Sequence, residues 1–351
     1  MLSTVFACLI LLTNDDAITA DAAADSANTN APPAIIAGKE TADAAAPSAT
    51  QEWTLRYQFR PEEKLRYQTH QTMTLDARIG QNRKVDVSEL KQRRVFTVLS
   101  AEECGAAELA MQFEHVWMKM QSDDREPVLF DSTMKPNEVP TVFRNTAHQL
   151  KGSAPKYRLS SRGVSLFDAE RIAKAATQAA AEQTAPASGS PIQPKEGTPS
   201  SDRTVAQTAA EETDPGSFLA PLPEQPVAIG ETWKETIPVS VRLTQEINRT
   251  VSILRTYRLD SVENGIATIS FRSSIASPIT GPSVRAQLIQ ATPRGSLQFD
   301  IGRGVMLRRE LQFNETVIGA FGRESILSSV GTNSEELLEP EASQSTNGVI
   351  R

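Results

Sequence analysis

Residues 53–59, Trp53-Thr54-Leu55-Arg56-Tyr57-Gln58-Phe59, place an apolar side chain at every odd position and a polar side chain at every even position. Successive side chains of a β-strand point to opposite faces of a sheet, so this alternation predicts a strand with one packed face and one wet face. Such strands are typical of antiparallel sheets rather than of buried parallel sheets. The stretch therefore predicts a mainly β fold.

The same period returns along both halves of the chain. It is found in the stretches Leu65–Leu75, Val95–Leu99, Leu109–Trp117 and Ile253–Leu259. An Asn264-Gly265 pair follows the last of them, and this dipeptide is typical of a β-hairpin turn. Residues 138–150 instead have the spacing of a short amphipathic helix. The predicted fold class is mainly β, a β-rich α+β chain of long antiparallel strands with one or two short helices.

The two halves of the chain resemble each other. The stretch from Leu99 to Met111 aligns with the stretch from Leu259 to Phe271 at an offset of 160 residues. Arg162-Gly163-Val164 aligns with Arg303-Gly304-Val305 at an offset of 141 residues. These alignments predict two pseudo-repeated β-meander units, whose sheets either pack on each other or continue each other.

Composition divides the chain into folded units and connecting segments. Residues 23–50 and 184–217 are rich in small and polar residues and lack the large apolar side chains that a core needs. The Ala-rich stretch from Asp168 to Gln183 predicts a short helix. The predicted segments are a signal peptide (1–22), a disordered stretch (23–50), a first antiparallel β unit (51–167), a short helix and disordered linker (168–217), a second antiparallel β unit (218–330) and a disordered acidic tail (331–351).

The N-terminal segment has the pattern of an atypical signal peptide. Val5–Leu12 is an apolar run of eight residues, too short to span a bilayer, and Ala20-Asp21-Ala22 offers a cleavage point. The pattern is atypical because no Lys or Arg precedes Lys39. We therefore expect export to the periplasm, the cell envelope or the exterior, with no transmembrane segment in the mature chain and no lipid anchor at Cys8.

Charge and composition argue against several classes of protein. The chain has 36 Lys+Arg against 43 Asp+Glu, a net charge of −7, whereas a nucleic-acid-binding domain is basic over its footprint. Two cysteines and three histidines are too few for a disulfide scaffold or a typical zinc module. No nucleophile elbow, phosphate loop, dinucleotide motif or zincin motif occurs. We expect a non-enzymatic protein without catalytic residues, metal, cofactor or nucleic-acid partner.

Four apolar side chains are the candidates for a binding site. Three of them, Met111, Phe113 and Trp117, are expected on one face of a strand together with Leu109. The fourth, Met73, is expected on the apolar face of another strand. If these faces line a cavity, Met73, Met111, Phe113 and Trp117 would contact an apolar small molecule or lipid. If the same side chains fill a solid core, the protein is instead a scaffold that binds an envelope protein partner through an apolar patch.

The histidines offer a less favoured alternative. His70 and His115 fall on neighbouring predicted strands, where Asp76 or Glu114 would complete a set. A metal site needs three or four converging ligands, and two histidines without a fixed spacing do not supply them. We therefore expect two exposed strand histidines. A hydrolase of unrecognised type would require these groups to converge in a polar pocket.

Two turn-like phrases carry a resemblance to a known family. They are Leu222-Pro223-Glu224…Val227…Ile229-Gly230-Glu231-Thr232-Trp233 and Gly295-Ser296-Leu297-Gln298-Phe299-Asp300…Gly304. Through them, most of residues 51–330 resembles an uncharacterised family of exported bacterial proteins of planctomycete type. The resemblance implies export and β architecture and brings no activity or site residues. The combined expectation is a non-enzymatic exported cell-envelope protein whose curved, amphipathic β-sheet binds an apolar ligand or a protein partner.

Overall fold

A computed structural model describes residues 51–150, 152, 154–166, 219–243 and 247–339 of the chain. The predicted signal peptide, the stretch 23–50 and the linker 168–217 therefore lie outside the described residues. Most of the described residues lie in β-strands. Within this part of the chain, no helix is long and apolar enough to cross a membrane.

The strands follow the period-2 segments of the sequence, and several are long. In chain order they are β1 (Glu52–Trp53), β2 (Lys64–Ile79), β3 (Asn82–Ala101), β4 (Ala107–Ser122), β5 (Val128–Asp131), β6 (Lys156–Leu159), β7 (Val227–Ala228), β8 (Thr232–Arg242), β9 (Asn248–Glu263), β10 (Ile266–Ile275), β11 (Arg294–Asp300), β12 (Val305–Ile318) and β13 (Ser325–Leu338). A 3-10 turn (Thr141–Phe143) leads into helix α1 (Arg144–Leu150), where the sequence predicts a helix. Helix α2 (Pro282–Gln287) was not predicted.

The described strands pair in an antiparallel manner, which confirms the predicted fold class. Strands β1 and β7 form a small two-stranded sheet. The other eleven strands form one sheet in the order β5-β4-β3-β2-β13-β12-β11-β10-β9-β8, with β6 paired to β4.

The two predicted units continue each other within this one sheet. Strand β13 lies between β2 of the first half and β12 of the second half, and it pairs with β2 along its whole length and with β12 over residues 326–336. The predicted start of a disordered tail at residue 331 is therefore wrong for residues 331–338. The acidic sequence is misleading there because Glu335 is a buried residue of the sheet. Residues 340–351 lie outside the described part of the chain.

The segment 53–59 is not a paired strand along its length, although its odd-numbered side chains are buried or half-buried. Only Trp53 belongs to a strand. Further along, the Tyr57 amide donates to the Ser161 carbonyl (2.7 Å), and the amide that follows it donates to the Gly304 carbonyl (3.0 Å). Because those carbonyls belong to different halves, the segment is held between the two halves by backbone hydrogen bonds to both.

The largest apolar cluster contains side chains of both halves. Tyr67 and Phe96, on β2 and β3, share it with Tyr257 and Phe299, on β9 and β11. These strands lie on opposite sides of β13 in the sheet, so the sheet must curve for their side chains to belong to one core. We call the face that carries this cluster the inner face and the opposite face the outer face.

Helices cover the inner face toward the ends of the strands that lie away from the large apolar cluster. Phe143 of the 3-10 turn is completely buried in a cluster with Met73 and Met118. Val284 of helix α2 is buried in another cluster with Ile253 of β9. The helices thus exclude water from the part of the inner face that the two halves do not cover for each other.

A buried ion cluster lies on the inner face. The Glu335 carboxylate accepts hydrogen bonds from Nη2 of Arg94 and from Nη2 of Arg309, the latter at 2.7 Å. The Glu335 side chain is 1% exposed, and the two arginine side chains are 13% and 14% exposed. Burial alone would raise the pKa of Glu335, but the attraction and hydrogen bonds of the two guanidinium groups hold that pKa below its usual value.

Two of the aligned pairs of residues in the predicted repeats occupy matching places in the sheet. Leu109 and Met111 of β4 face the large apolar cluster, as Ile269 and Phe271 of β10 do. The predicted match of Leu99 with Leu259 is wrong, because Leu99 is 43% exposed whereas Leu259 is buried. A β-bulge between Val98 and Ser100 shifts the register at this point, which the sequence pattern does not reveal.

Candidate functional site

A groove crosses the outer face of the sheet over β10, β11, β12, β13 and β2, with a volume of about 690 Å³. Its two walls are rows of cross-strand neighbours. One wall consists of Arg272, Arg294, Gln312 and Thr332. The other wall consists of Ser296, Glu310, Ser334 and His70.

The floor of the groove is the row of residues between the two walls. Phe271 and Leu311 lie in this row, and their side chains pack in the inner cluster, so the groove meets their backbone. Gly295 is the cross-strand neighbour of both residues. A Cβ atom at Gly295 would collide with the carbonyl oxygen of Glu310, so the close approach of these strands requires a glycine.

Two arginines stand side by side in one wall. Arg272 on β10 lies directly opposite Arg294 on β11, and both residues are exposed. Within the described part of the chain neither of them forms an ion pair, and the neighbouring Glu310 carboxylate is paired with Arg308 instead. Like charges directly opposite each other destabilise a sheet, so the arginine pair is unfavourable for folding alone. The arrangement suits a carboxylate that binds to both guanidinium groups.

The other side chains of the walls are mostly neutral hydrogen-bonding groups. The Thr332 hydroxyl lies 2.9 Å from the Thr72 hydroxyl, and the Ser334 hydroxyl is within 3.5 Å of the His70 carbonyl oxygen. Hydroxyl and amide groups both donate and accept hydrogen bonds, so they can bind the main chain of an extended peptide.

The two histidines lie in separate ion pairs. His70 Nε2 is 2.9 Å from Glu89, whose pKa is lowered by hydrogen bonds from Lys91 and from the histidine. His115 Nε2 is 3.1 Å from the Asp131 carboxylate. Hydrogen bonding from Thr133 is the main reason that the pKa of Asp131 is lowered. The structure does not bring the two histidines together with a shared carboxylate.

The predicted apolar site residues are divided between the two faces of the sheet. Met73 (2% exposed) and Met111 (8% exposed) belong to different apolar clusters of the inner face, and Phe113 packs against both clusters. Trp117 lies on the outer face, where the Lys91 Nζ atom is 4.9 Å from its ring centre. The first three side chains therefore form part of the core, and the fourth faces away from it.

A β-bulge explains why Trp117 departs from the predicted face. The register of β3 and β4 shifts between Arg93 and Arg94, so that Arg94 pairs with Phe113 and Arg93 pairs with His115. The extra residue in β4 reverses the alternation of side chains. Beyond the bulge, Val116 and not Trp117 continues the inner face.

The sequence patterns did not identify the groove residues. Arg272 and Arg294 come from different strands, and nothing in their local sequence indicates that they lie opposite each other. A pair of arginines at matching positions of one hairpin would have been the signal, but helix α2 and its flanking loops separate β10 from β11. The register of the two strands could not be obtained by counting residues through a tight turn.

One family model matches part of the chain. The family is described as a family of unknown function (DUF6263), and the match covers residues 214–305. This range includes Arg272, Arg294 and Gly295, and it includes all of the residues that carry the resemblance noted in the sequence. The match supports the resemblance to an uncharacterised family at the level of this segment.

Comparison with other known proteins adds little. No curated protein matches the chain. A solved structure, described as lipid-protein interactions in lipovitellin, is similar at 10% sequence identity with a TM-score of 0.38. The similarity covers 82% of this chain and 26% of the lipovitellin chain, so this chain spans about a quarter of that protein's length.

Proposed function

We propose that the protein is a non-enzymatic protein exported to the cell envelope, where the groove on the outer face of its sheet binds an acidic segment of a protein partner. The observation that carries the proposal is the pair Arg272 and Arg294, exposed side by side in the groove without a carboxylate partner among the described residues. Export rests on the apolar run Val5–Leu12 and the small residues that follow it.

The groove is more suited to a polar partner than to an apolar ligand. An apolar ligand needs a concave site lined mainly by apolar side chains. The walls here carry arginine, glutamine, serine and threonine side chains together with Glu310, which is paired with Arg308, and His70, whereas Met73 and Met111 pack in the core instead. These placements favour a protein that binds a protein partner over a protein that carries an apolar ligand.

The length of the groove fits a short extended peptide. It crosses five strands, and four strand spacings of about 4.8 Å give a length of roughly 19 Å. An extended chain rises about 3.3 Å per residue, so about six residues would fill the groove. Carboxylates of such a peptide would bind to Arg272 and Arg294, and the hydroxyl and amide groups of the walls would bind its backbone.

A labelled peptide tests the proposal directly. Fluorescein-labelled hexaglutamate, titrated with the purified chain at low salt, should bind to the wild type, and its binding should weaken as salt is added. The variant R272E/R294E should bind at least about tenfold more weakly, because it replaces two attractive charges with two repulsive ones. Arg125 and Arg285 are exposed arginines outside the groove, so R125E/R285E is a control with the same change in net charge.

Two results would contradict the proposal. If hexaglutamate fails to bind to the wild type, or if both double variants lose binding equally, the groove is not a specific site for an acidic segment. Native mass spectrometry of the chain purified without detergent provides the second test. A reproducible mass excess that is extractable as an apolar compound would establish the carrier function instead.

A further inference from the structure

Apolar side chains are exposed at one end of the sheet, on two neighbouring hairpins. We call this set of residues the apolar tip: Ile79, Ile318, Phe321 and Ile326. Their exposed fractions are 42%, 76%, 43% and 37% respectively. Single exposed apolar residues are normal on a protein surface, but a contiguous set is typical of an interaction site.

The pairing of β13 with β2 brings the two hairpins together. Ile318 of β12 lies directly opposite Ile326 of β13, and Ile79 at the end of β2 lies opposite Ser325. The Gly80 amide in the β2–β3 turn donates a hydrogen bond to the Glu324 carbonyl in the β12–β13 turn (3.0 Å). The four apolar side chains therefore lie at the same end of the molecule, with Ile318 and Ile326 on the outer face and Ile79 on the inner face.

The apolar tip is not needed to fill the core beneath it. Val317, Ala320 and Leu327 form a cluster with Ile289 of the segment after helix α2, and each of these four residues is at most 6% exposed. The core at this end is thus closed by other residues of the same hairpin. The side chains of the tip are additional apolar surface that folding leaves in water.

Cations flank the apolar tip. Arg78 lies opposite Ile326 on the neighbouring strand, and Arg323 lies in the same turn as Phe321, next to the exposed Glu324. Neither arginine forms a salt bridge within the described ranges, whereas Arg83 is paired with Asp76 at 2.7 Å. Apolar side chains enter the boundary between headgroups and acyl chains, and arginines are attracted to anionic headgroups, so this arrangement is suited to the surface of an anionic bilayer.

The apolar tip and the C-terminal end of β13 lie at opposite ends of the sheet. Residue 339 follows Leu338, which pairs with Arg66 near the start of β2, whereas the apolar tip is at the end of β2. Leu219, after the linker, packs in the large cluster at that same far end. The 16 residues of β2 separate the two ends by roughly 50 Å. The apolar tip thus lies at the end of the sheet opposite to Leu338 and to the large apolar cluster.

We infer that the apolar tip inserts into the surface of a lipid bilayer that contains anionic lipids. Ile318 and Phe321 enter the region between the headgroups and the acyl chains, and Arg78 and Arg323 bind to the anionic headgroups. This role is separate from the proposed binding of an acidic segment, because the groove and the tip share no residue.

Vesicle flotation with the purified full chain tests the inference. The wild type should float with vesicles of equal parts phosphatidylglycerol and phosphatidylcholine, and less with phosphatidylcholine alone. I318S/F321S should lower the fraction bound at least about tenfold, because two apolar side chains no longer enter the bilayer. Val128 and Leu129 are exposed at 39% and 43% on the edge strand β5, so V128S/L129S is a matched control and should bind as the wild type does.

Two further variants separate the electrostatic contribution to binding from the apolar one, and they do not depend on whether I318S/F321S folds. R78E/R323E should remove the preference for anionic vesicles. The variant F321W should show a blue-shifted tryptophan emission when anionic vesicles are added. The inference is overturned if the wild type does not float, if V128S/L129S loses binding as strongly as I318S/F321S, or if the F321W spectrum does not change. Hexaglutamate binding by I318S/F321S should remain at the wild-type level, so the two proposals fail independently.

Discussion

Replacing Glu335 by glutamine removes the charge of the buried ion cluster while keeping the size of the side chain. Arg94 and Arg309 would then remain on the inner face, 13% and 14% exposed, without the carboxylate that neutralises them. An uncompensated charge in such a place is strongly unfavourable, since neither water nor a counter-ion reaches it freely. We therefore expect a large loss of stability from a change of very few atoms.

The magnitude follows from the burial of the carboxylate. Glu335 is 1% exposed, and breaking a buried pair by removing one partner costs about 3–5 kcal/mol. For a domain of this size, each kcal/mol shifts Tm by about 2–4 °C, so the expected decrease is roughly 6–20 °C. Glu336 is the neighbouring residue on the outer face and is exposed, so E336Q is the matched control and should change the free energy of unfolding by less than about 0.5 kcal/mol.

Urea unfolding followed by circular dichroism, with thermal melts in parallel, measures both quantities. The pH dependence gives a further check. The pKa of Glu335 is lowered in the folded protein, so its contribution to stability is present above the unfolded pKa of about 4.3 and is lost as the pH falls through the folded pKa. The difference between wild type and E335Q should therefore be largest near neutral pH and should shrink in acid. If E335Q and E336Q unfold at the same urea concentration, the reasoning about the ion cluster is refuted.

Two further substitutions test the packing of the sheet. G295A should lower the free energy of unfolding by about 1–3 kcal/mol, because its methyl group would collide with the Glu310 carbonyl oxygen. The control G302A, in an open turn, should change this free energy by less than about 1 kcal/mol. Equal effects of the two variants in urea unfolding would contradict the close approach of the strands. Y57F should lower the same free energy by about 1–3 kcal/mol, because the buried hydroxyl donates to the Ala220 carbonyl (3.0 Å), and an unchanged unfolding midpoint would show that this hydrogen bond is not needed.

The sequence was sufficient to predict the type of most elements but not the connections between them, and the exceptions are the segment 53–59, helix α2 and the end of strand β13. Period-2 alternation arises because one face of each strand is packed, and this requirement is local, so the antiparallel class could be read from short stretches. The place of β13 depends on pairing with β2, which lies about 260 residues earlier, and no local pattern encodes such a pairing. Glu335 shows the consequence, because a buried acid with two arginine partners looks like a tail residue in the sequence.

The candidate site was harder to predict for a related reason. The groove depends on the register of five strands, and an error of one residue moves every side chain to the other face. The bulge near Arg93 produced that error for Trp117. Arg272 and Arg294 are ordinary arginines until the pairing of β10 and β11 places them opposite each other. Residue identity was therefore available from the start, but the geometry that gives these residues a common role was not.

The position of β13 has a consequence for biosynthesis. Until this strand has been synthesised, β2 and β12 each present an unpaired edge. The segment 53–59 can form its backbone hydrogen bonds to both Ser161 and Gly304 only after residue 304 has been synthesised. Exposed edges of long strands can pair with other chains, so a chain truncated before residue 325 should aggregate rather than fold as a smaller domain. We expect the full sheet to close late and cooperatively, once β13 pairs with both β2 and β12.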